Sequence, residues 1–218
     1  MTVINQFDVL NEVVMSLRSA DVMSVDERGV VRTTQTGVLN DDDGILIDKS
    51  NVKNVVSITV DTVPITGFNV DTETDEECNI TLKNSMSGDY IVTYDYGPDK
   101  IFSGYPRSDL NINSFPRIAV EYISMGSEPG GFGNVNRNRH DISISIYNFD
   151  KSKIRDTIHK IRTWCVNNQN GLSTLKLIKP VLIGPLAPAG EFTKFKDKVM
   201  KQNFDFVGLL QYEIYNGV

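Results

Sequence analysis

Between Asp141 and Asn168 the apolar positions change period. Ile142, Ile144 and Ile146 alternate with Ser143, Ser145 and Tyr147, the repeat of a strand with one apolar face. Ile154, Ile158, Ile161, Trp164 and Cys165 then recur at helical spacing. Lys151, Lys153, Arg155, Lys160 and Arg162 fall off that stripe and are expected in water. Asp150 and Ser152 both suit an N-cap, so the helix start is marked but left open between them. A half-buried strand feeding an amphipathic helix makes an α/β layer, and other parts of the chain must cover it.

The N-terminal segment 6–19 also reads as a helix, with Phe7, Leu10, Val13, Val14 and Leu17 on one face. Residues 21–40 are mixed. From Asp48 to Gly97 every pattern is β: Val56, Ile58 and Val60 alternate, 64–70 and 79–82 follow, and Tyr90, Val92, Tyr94 and Tyr96 share a face. Thr66-Gly67 and Ser87-Gly88-Asp89 supply turn signals. Beyond this, Ile118, Val120 and Tyr122 mark a strand within 116–124 that should pair antiparallel with Ile142–Tyr147, since no crossover helix separates them. Met125–His140 reads as a long glycine-rich loop. Leu175, Leu177 and Val181 lead into a proline-punctuated stretch, and 189–200 has the character of a short basic helix. A last strand, 204–215, is expected to bulge at Gly208.

These elements predict an α+β fold, mainly antiparallel sheet packed by two helices, with an inserted all-β module of sandwich or barrel type. The expected division is a discontinuous core, 1–47 and 98–218, and a module at 48–97. Charge changes the picture here. Of the chain's net −6, residues 41–99 carry 13 acids and 3 bases, a net of −10, and the remainder carries +4. Residues 151–201 alone hold 11 bases against 3 acids. Such asymmetry fits either two solvated faces or complementary charge between neighbouring subunits. No window approaches the roughly eighteen apolar residues of a membrane span. No signal peptide is read in the acid-containing N-terminus, and Cys78 and Cys165 are expected as reduced thiols.

The chemistry-bearing patterns are mostly absent. Gly130-Gly131-Phe132-Gly133 lies between strands and opens no helix, so it satisfies neither a dinucleotide fingerprint nor a phosphate loop. Asp41, Asp42 and Asp43 before Gly44 lack the alternation of a calcium loop and read as a polar turn. His140 and His159 have no ligand-spaced partner, Cys165 lies on the apolar stripe, and the acids of 71–77 lack apolar surroundings. No catalytic, cofactor-binding or metal residue is therefore nominated, and the chain is expected not to be an enzyme. The bases of the 151–162 helix suit phosphate contact but lack interleaved aromatics. The candidate partner segment is the 126–139 loop, with Gly130, Gly131, Phe132, Asn134, Arg137 and Arg139, polar and donor-rich enough to order against another surface.

Residues 101–168 resemble the tail terminator (tail completion) proteins of tailed bacteriophages. The resemblance is carried by GYPR at 104–107, FPRIAVEYIS at 115–124, a glycine-rich loop, DISISIYNFD at 141–150 and the helix KSKIRDTIHKIRTW at 151–164. The helix at 6–19 and the strand at 204–215 fit the same order, whereas 48–97 has no counterpart in it. The resemblance implies a non-enzymatic virion protein, assembled in the host cytoplasm. It would form a homo-oligomeric, usually hexameric, ring that ends tail-tube growth. It would contact the tube protein and the neck or connector proteins, and let DNA pass without specific binding. No membrane and no cofactor are implied. Two other readings are another neck or baseplate adaptor, and a surface- or carbohydrate-binding module carried by 48–97.

Overall fold

The computed structural model describes residues 6–71, 78–103, 116–129, 136–148, 150–172, 175–183, 187–188 and 206–216. Most of them lie in antiparallel sheet, with a few helices, and the chain divides into two compact units. The first comprises Met1–Met23 with Lys100–Val218, the second Ser24–Asp99.

In the first unit, α1 (Gln6–Ser19) and α3 (Lys151–Asn167) lie on one face of a sheet ordered β10 (Ala187–Pro188), β11 (Phe206–Asn216), β8 (Asn136–Asn148), β7 (Arg117–Pro129), β6 (Ile101–Ser103), with β9 (Leu175–Ile183) also on β11. Alternation places Ile118 and Val120 of β7 and Ile142, Ile144 and Ile146 of β8 on the helix-bearing face. They pack with Val9, Leu10, Val13, Val14 and Leu17 of α1 and with Ile154, Ile161, Trp164 and Cys165 of α3. Each such fully buried aliphatic side chain contributes about 1.5–3 kcal/mol. The Trp164 indole N–H donates to Ser16 Oγ at 2.8 Å, which ties α3 to α1. Arg18 donates to the Ile101 carbonyl at 2.7 Å, which ties α1 to β6. Asp150 is the N-cap of α3, its carboxylate accepting from the Ser152 amide at 2.9 Å. Phe7, expected on the apolar face of α1, is 66% exposed, and Val9 fills the buried stripe in its place.

The second unit is one folded ribbon. β1 (Val31–Ile47) and β5 (Cys78–Tyr96) pair along their lengths, with register shifts between Leu39 and Gly44. Those irregularities bend the ribbon, and both halves then enclose one core. β2 (Val52–Val60) pairs with the C-terminal half of β5 and carries β3 (Val63–Pro64), while β4 (Phe68–Asp71) pairs with its N-terminal half. Leu39, Ile45, Ile58, Ile80, Val92 and Tyr94 meet inside. Gln35 closes the bend: its amide donates to the Leu46 carbonyl at 2.8 Å and accepts from the Asp48 N–H at 2.9 Å.

Several expectations change in detail. The compact division falls after Met23 and after Asp99 where the charge pattern put it near 47 and 98, because β1 pairs with β5 from Val31 onward. Asp41–Gly44 and Ser87–Asp89, read as turns, lie within the bent strands. β7 and β8 pair as expected, but the ladder runs out to Pro129 and Asn136, so most of the expected 125–140 loop is strand. β11 keeps an unbroken register on β8 through Gly208, and the expected bulge is absent there. Cross-strand bonds stabilise these positions despite their glycine content. The expected 189–200 helix and the GYPR segment lie outside the described residues.

Candidate assembly surfaces

Beyond the helix-covered core the β7–β8 ribbon continues as an arm. A register shift between Tyr122 and Ser124 leaves Ile123 as an extra residue on β7. Ile123 and Met125, 51% and 65% exposed, follow one another along the arm. β6 covers the outer edge of β7 only as far as Val120. Among the described residues no strand pairs with that edge from Glu121 to Pro129, which leaves backbone donors and acceptors in a row.

Polar contacts fix the arm from within. The Tyr122 hydroxyl and His140 Nδ1 lie 2.8 Å apart, their rings meet edge to face, and His140 is fully buried. Burial, with the Asp141 charge adding to it, pushes the Tyr122 hydroxyl above its ordinary range. Asp141 accepts from Ser124 Oγ at 2.5 Å and pairs with Arg139 Nε at 3.1 Å. Toward the core on the same sheet, burial raises the Glu121 carboxyl, and the Ser143 hydroxyl, donating at 3.4 Å, offsets part of that.

Of the nominated partner loop, Gly130, Gly131, Phe132 and Asn134 lie outside the described residues. Arg137 and Arg139 are strand residues of β8, Arg137 in register with Glu128, and Arg139 is engaged by Asp141 of its own strand. The structure thus adds Ile123, Met125 and the Tyr122–His140 pair, which the sequence reading missed. Its one signal was the adjacent Tyr122-Ile123, where alternation slips by a residue.

A second surface is the outer side of α3. Arg155, His159, Arg162 and Val166 follow one another at helical spacing and are all exposed. Lys153 and Lys160 flank them with Asp156 between. The buried half of the helix includes Cys165, whose thiol is raised by burial, as the sequence stripe implied. Cys78 in the second unit is likewise buried, which together with the nearby Asp71 charge pushes its thiol up to about 11. Neither is a nucleophile at neutral pH.

The second unit gathers charge differently. Arg28, on the short turn α2 (Val25–Arg28), is fully buried between Asp95 at 2.8 Å and Asp99 at 2.5 Å, and Arg32 reaches Asp95 at 2.7 Å. At the bend of the ribbon, the end of the folded unit away from Arg28, Asp41, Asp42, Asp43, Asp61 and Asp89 are exposed. Asp61 accepts from the Asp89 N–H at 2.9 Å and the Asp41 N–H donates to Ser87 Oγ at 2.9 Å, so this end is held in shape. Among the described residues no group of three or more His, Cys, Asp or Glu is placed to hold a metal ion.

No protein-family model, no curated protein and no solved structure matches this chain. No helix among the described residues is long and apolar enough to cross a membrane.

Proposed function

We propose that this chain is a virion structural protein of the tail-terminator type. Copies of it close into a ring, usually of six, which ends growth of the tail tube and joins the tail to the neck. Its role is mechanical, with no reaction carried out, no cofactor held and no membrane engaged. DNA passes through the ring without specific contacts. In this reading Ser24–Asp99, sheet apart from the short α2, is a module inserted into the α+β core and carries its own hydrophobic centre.

The observation that supports the reading most is the β7–β8 arm. An open strand edge with exposed Ile123 and Met125 is an aggregation hazard in a monomer, and a self-assembling protein resolves it by covering the edge with a neighbour. A closed ring demands such a heterologous contact, in which two different patches of one chain meet on adjacent copies. The order α1, β7, β8, α3, β11 is also the order of elements on which the family resemblance rests.

The mass of the full chain in solution tests this. A single closed assembly that caps purified tail tubes is the expected result. A chain that stays monomeric at high concentration, or tight binding of double-stranded DNA by the assembly, would overturn it.

A further inference from the structure

We propose that the outer face of α3 on one copy docks against the acidic end of the Ser24–Asp99 unit on the next copy. The inference rests on the self-assembling reading above and names the surfaces that would meet.

Charge divides along the same line as the fold. Ser24–Asp99 holds 15 acids and 5 bases, a net of −10, and the rest of the chain is +4. Within the acidic unit the buried charges are internally matched, since Arg28 and Arg32 meet Asp95 and Asp99. The surplus is therefore at the surface. The end bearing Asp41, Asp43, Asp61 and Asp89 has no ion-pair partner among the described residues and keeps its carboxylates exposed. Backbone N–H groups bonded to the Ser87 and Asp61 side chains hold it in place.

Helix α3 offers the counterpart. Arg155, His159 and Arg162 form a stripe with no carboxylate among them, and no ion pair engages either arginine among the described residues. From Arg155 to the exposed Val166 the stripe runs about 16 Å along the axis at ~1.5 Å per residue. Arginine beside an exposed aliphatic is the composition of an interface centre more than of a solvated face, where lysine and glutamate dominate. Surface charges of this kind steer association and fix register more than they add affinity, so they select the arrangement that open edges such as that of β7 then seal.

The geometry of the contact follows from its asymmetry. A basic patch and an acidic patch on one chain leave, after each union, one of each free at the ends of the pair. Growth is head to tail and ends only by closing on itself.

Charge reversal in the full chain tests this. Arg155→Glu with Arg162→Glu makes one variant, and Asp43→Lys with Asp89→Lys makes the other. All four side chains are exposed and none supplies one of the bonds at Ser87 or Asp61, so both variants keep the fold, checked by their circular dichroism. Each alone should self-associate at least about tenfold more weakly by light scattering. An equimolar mixture should assemble more strongly than either variant alone, because the unaltered helix of one variant still meets the unaltered acidic end of the other, and the two altered patches no longer oppose like charge with like. Assembly unchanged in the single variants, or no recovery on mixing, overturns the inference while leaving a ring intact. A wild-type chain that never assembles overturns the ring reading and the inference together.

Discussion

Arg28 and Asp95 lie 67 positions apart in sequence and meet at 2.8 Å, both side chains fully out of water. The pair fastens the turn that opens the acidic unit to the strand that closes it. Asp99 and Arg32 complete the matching, with Arg28 Nε donating to Asp99 Oδ2 at 3.0 Å and Arg32 Nε to Asp95 Oδ1 at 2.7 Å. Removing one partner strands the others in a dry site. Arg28→Ala is expected to cost about 3–5 kcal/mol, read from urea denaturation of the full chain. A loss below about 1 kcal/mol would mean that water reaches the cluster.

The same cluster gives the unit an acid limit. Burial opposes ionisation of Asp95, but the bonds from Arg32 and Arg28 outweigh it and hold its carboxyl below the ordinary range. A depressed folded value means that the ionised form is the stabilised one. The contribution is complete above the unfolded carboxylate value of about 3.9 and is lost as pH falls through the lower folded value. The urea midpoint should therefore drop below about pH 4, and Asp95→Asn should flatten that drop while lowering stability at neutral pH.

Gly37 lies under the ring of Tyr90. A Cβ there would fall 2.5 Å from the Tyr90 hydroxyl oxygen and 2.6 Å from two ring carbons. Tyr90 is also in register with Gly37 across the ribbon, and its hydroxyl lies 3.3 Å from the Gln35 amide that closes the bend. Gly37→Ala should destabilise the unit by about 1–3 kcal/mol. Combined with Tyr90→Leu its cost should shrink, a coupling that a double-mutant cycle would measure.

Tyr122→Phe removes the 2.8 Å contact between the Tyr122 hydroxyl and Nδ1 of the fully buried His140. A loss of about 1–3 kcal/mol in chemical denaturation is expected. Faster hydrogen exchange should appear in the arm beyond Tyr122 while the amides of α3 keep their protection. Uniform loosening of the whole unit would show that the pair is not specific to the arm.

Local pattern fixed a good part of this protein. Ile142, Ile144 and Ile146 turn to one face because a strand repeats every two residues, and Ile154, Ile161 and Trp164 because a helix repeats every three to four. Those periods are set by neighbours in sequence, so α1, α3, the β7–β8 pairing and the burial of Cys165 could be read without a partner in view, while the choice of Asp150 over Ser152 as the cap of α3 could not. Only tertiary structure decided the rest. Val31–Ile47 became one strand because β5 supplied bonds along it, which overrode the turn tendency of Asp41–Gly44. Arg28 became a core residue because Asp95 and Asp99 arrived from across the unit. Ser124 came to face Asp141, and Met125 His140, through a register shift that exists only against β8. In each case the deciding energy belongs to a contact between residues far apart in the chain, and no periodicity records it.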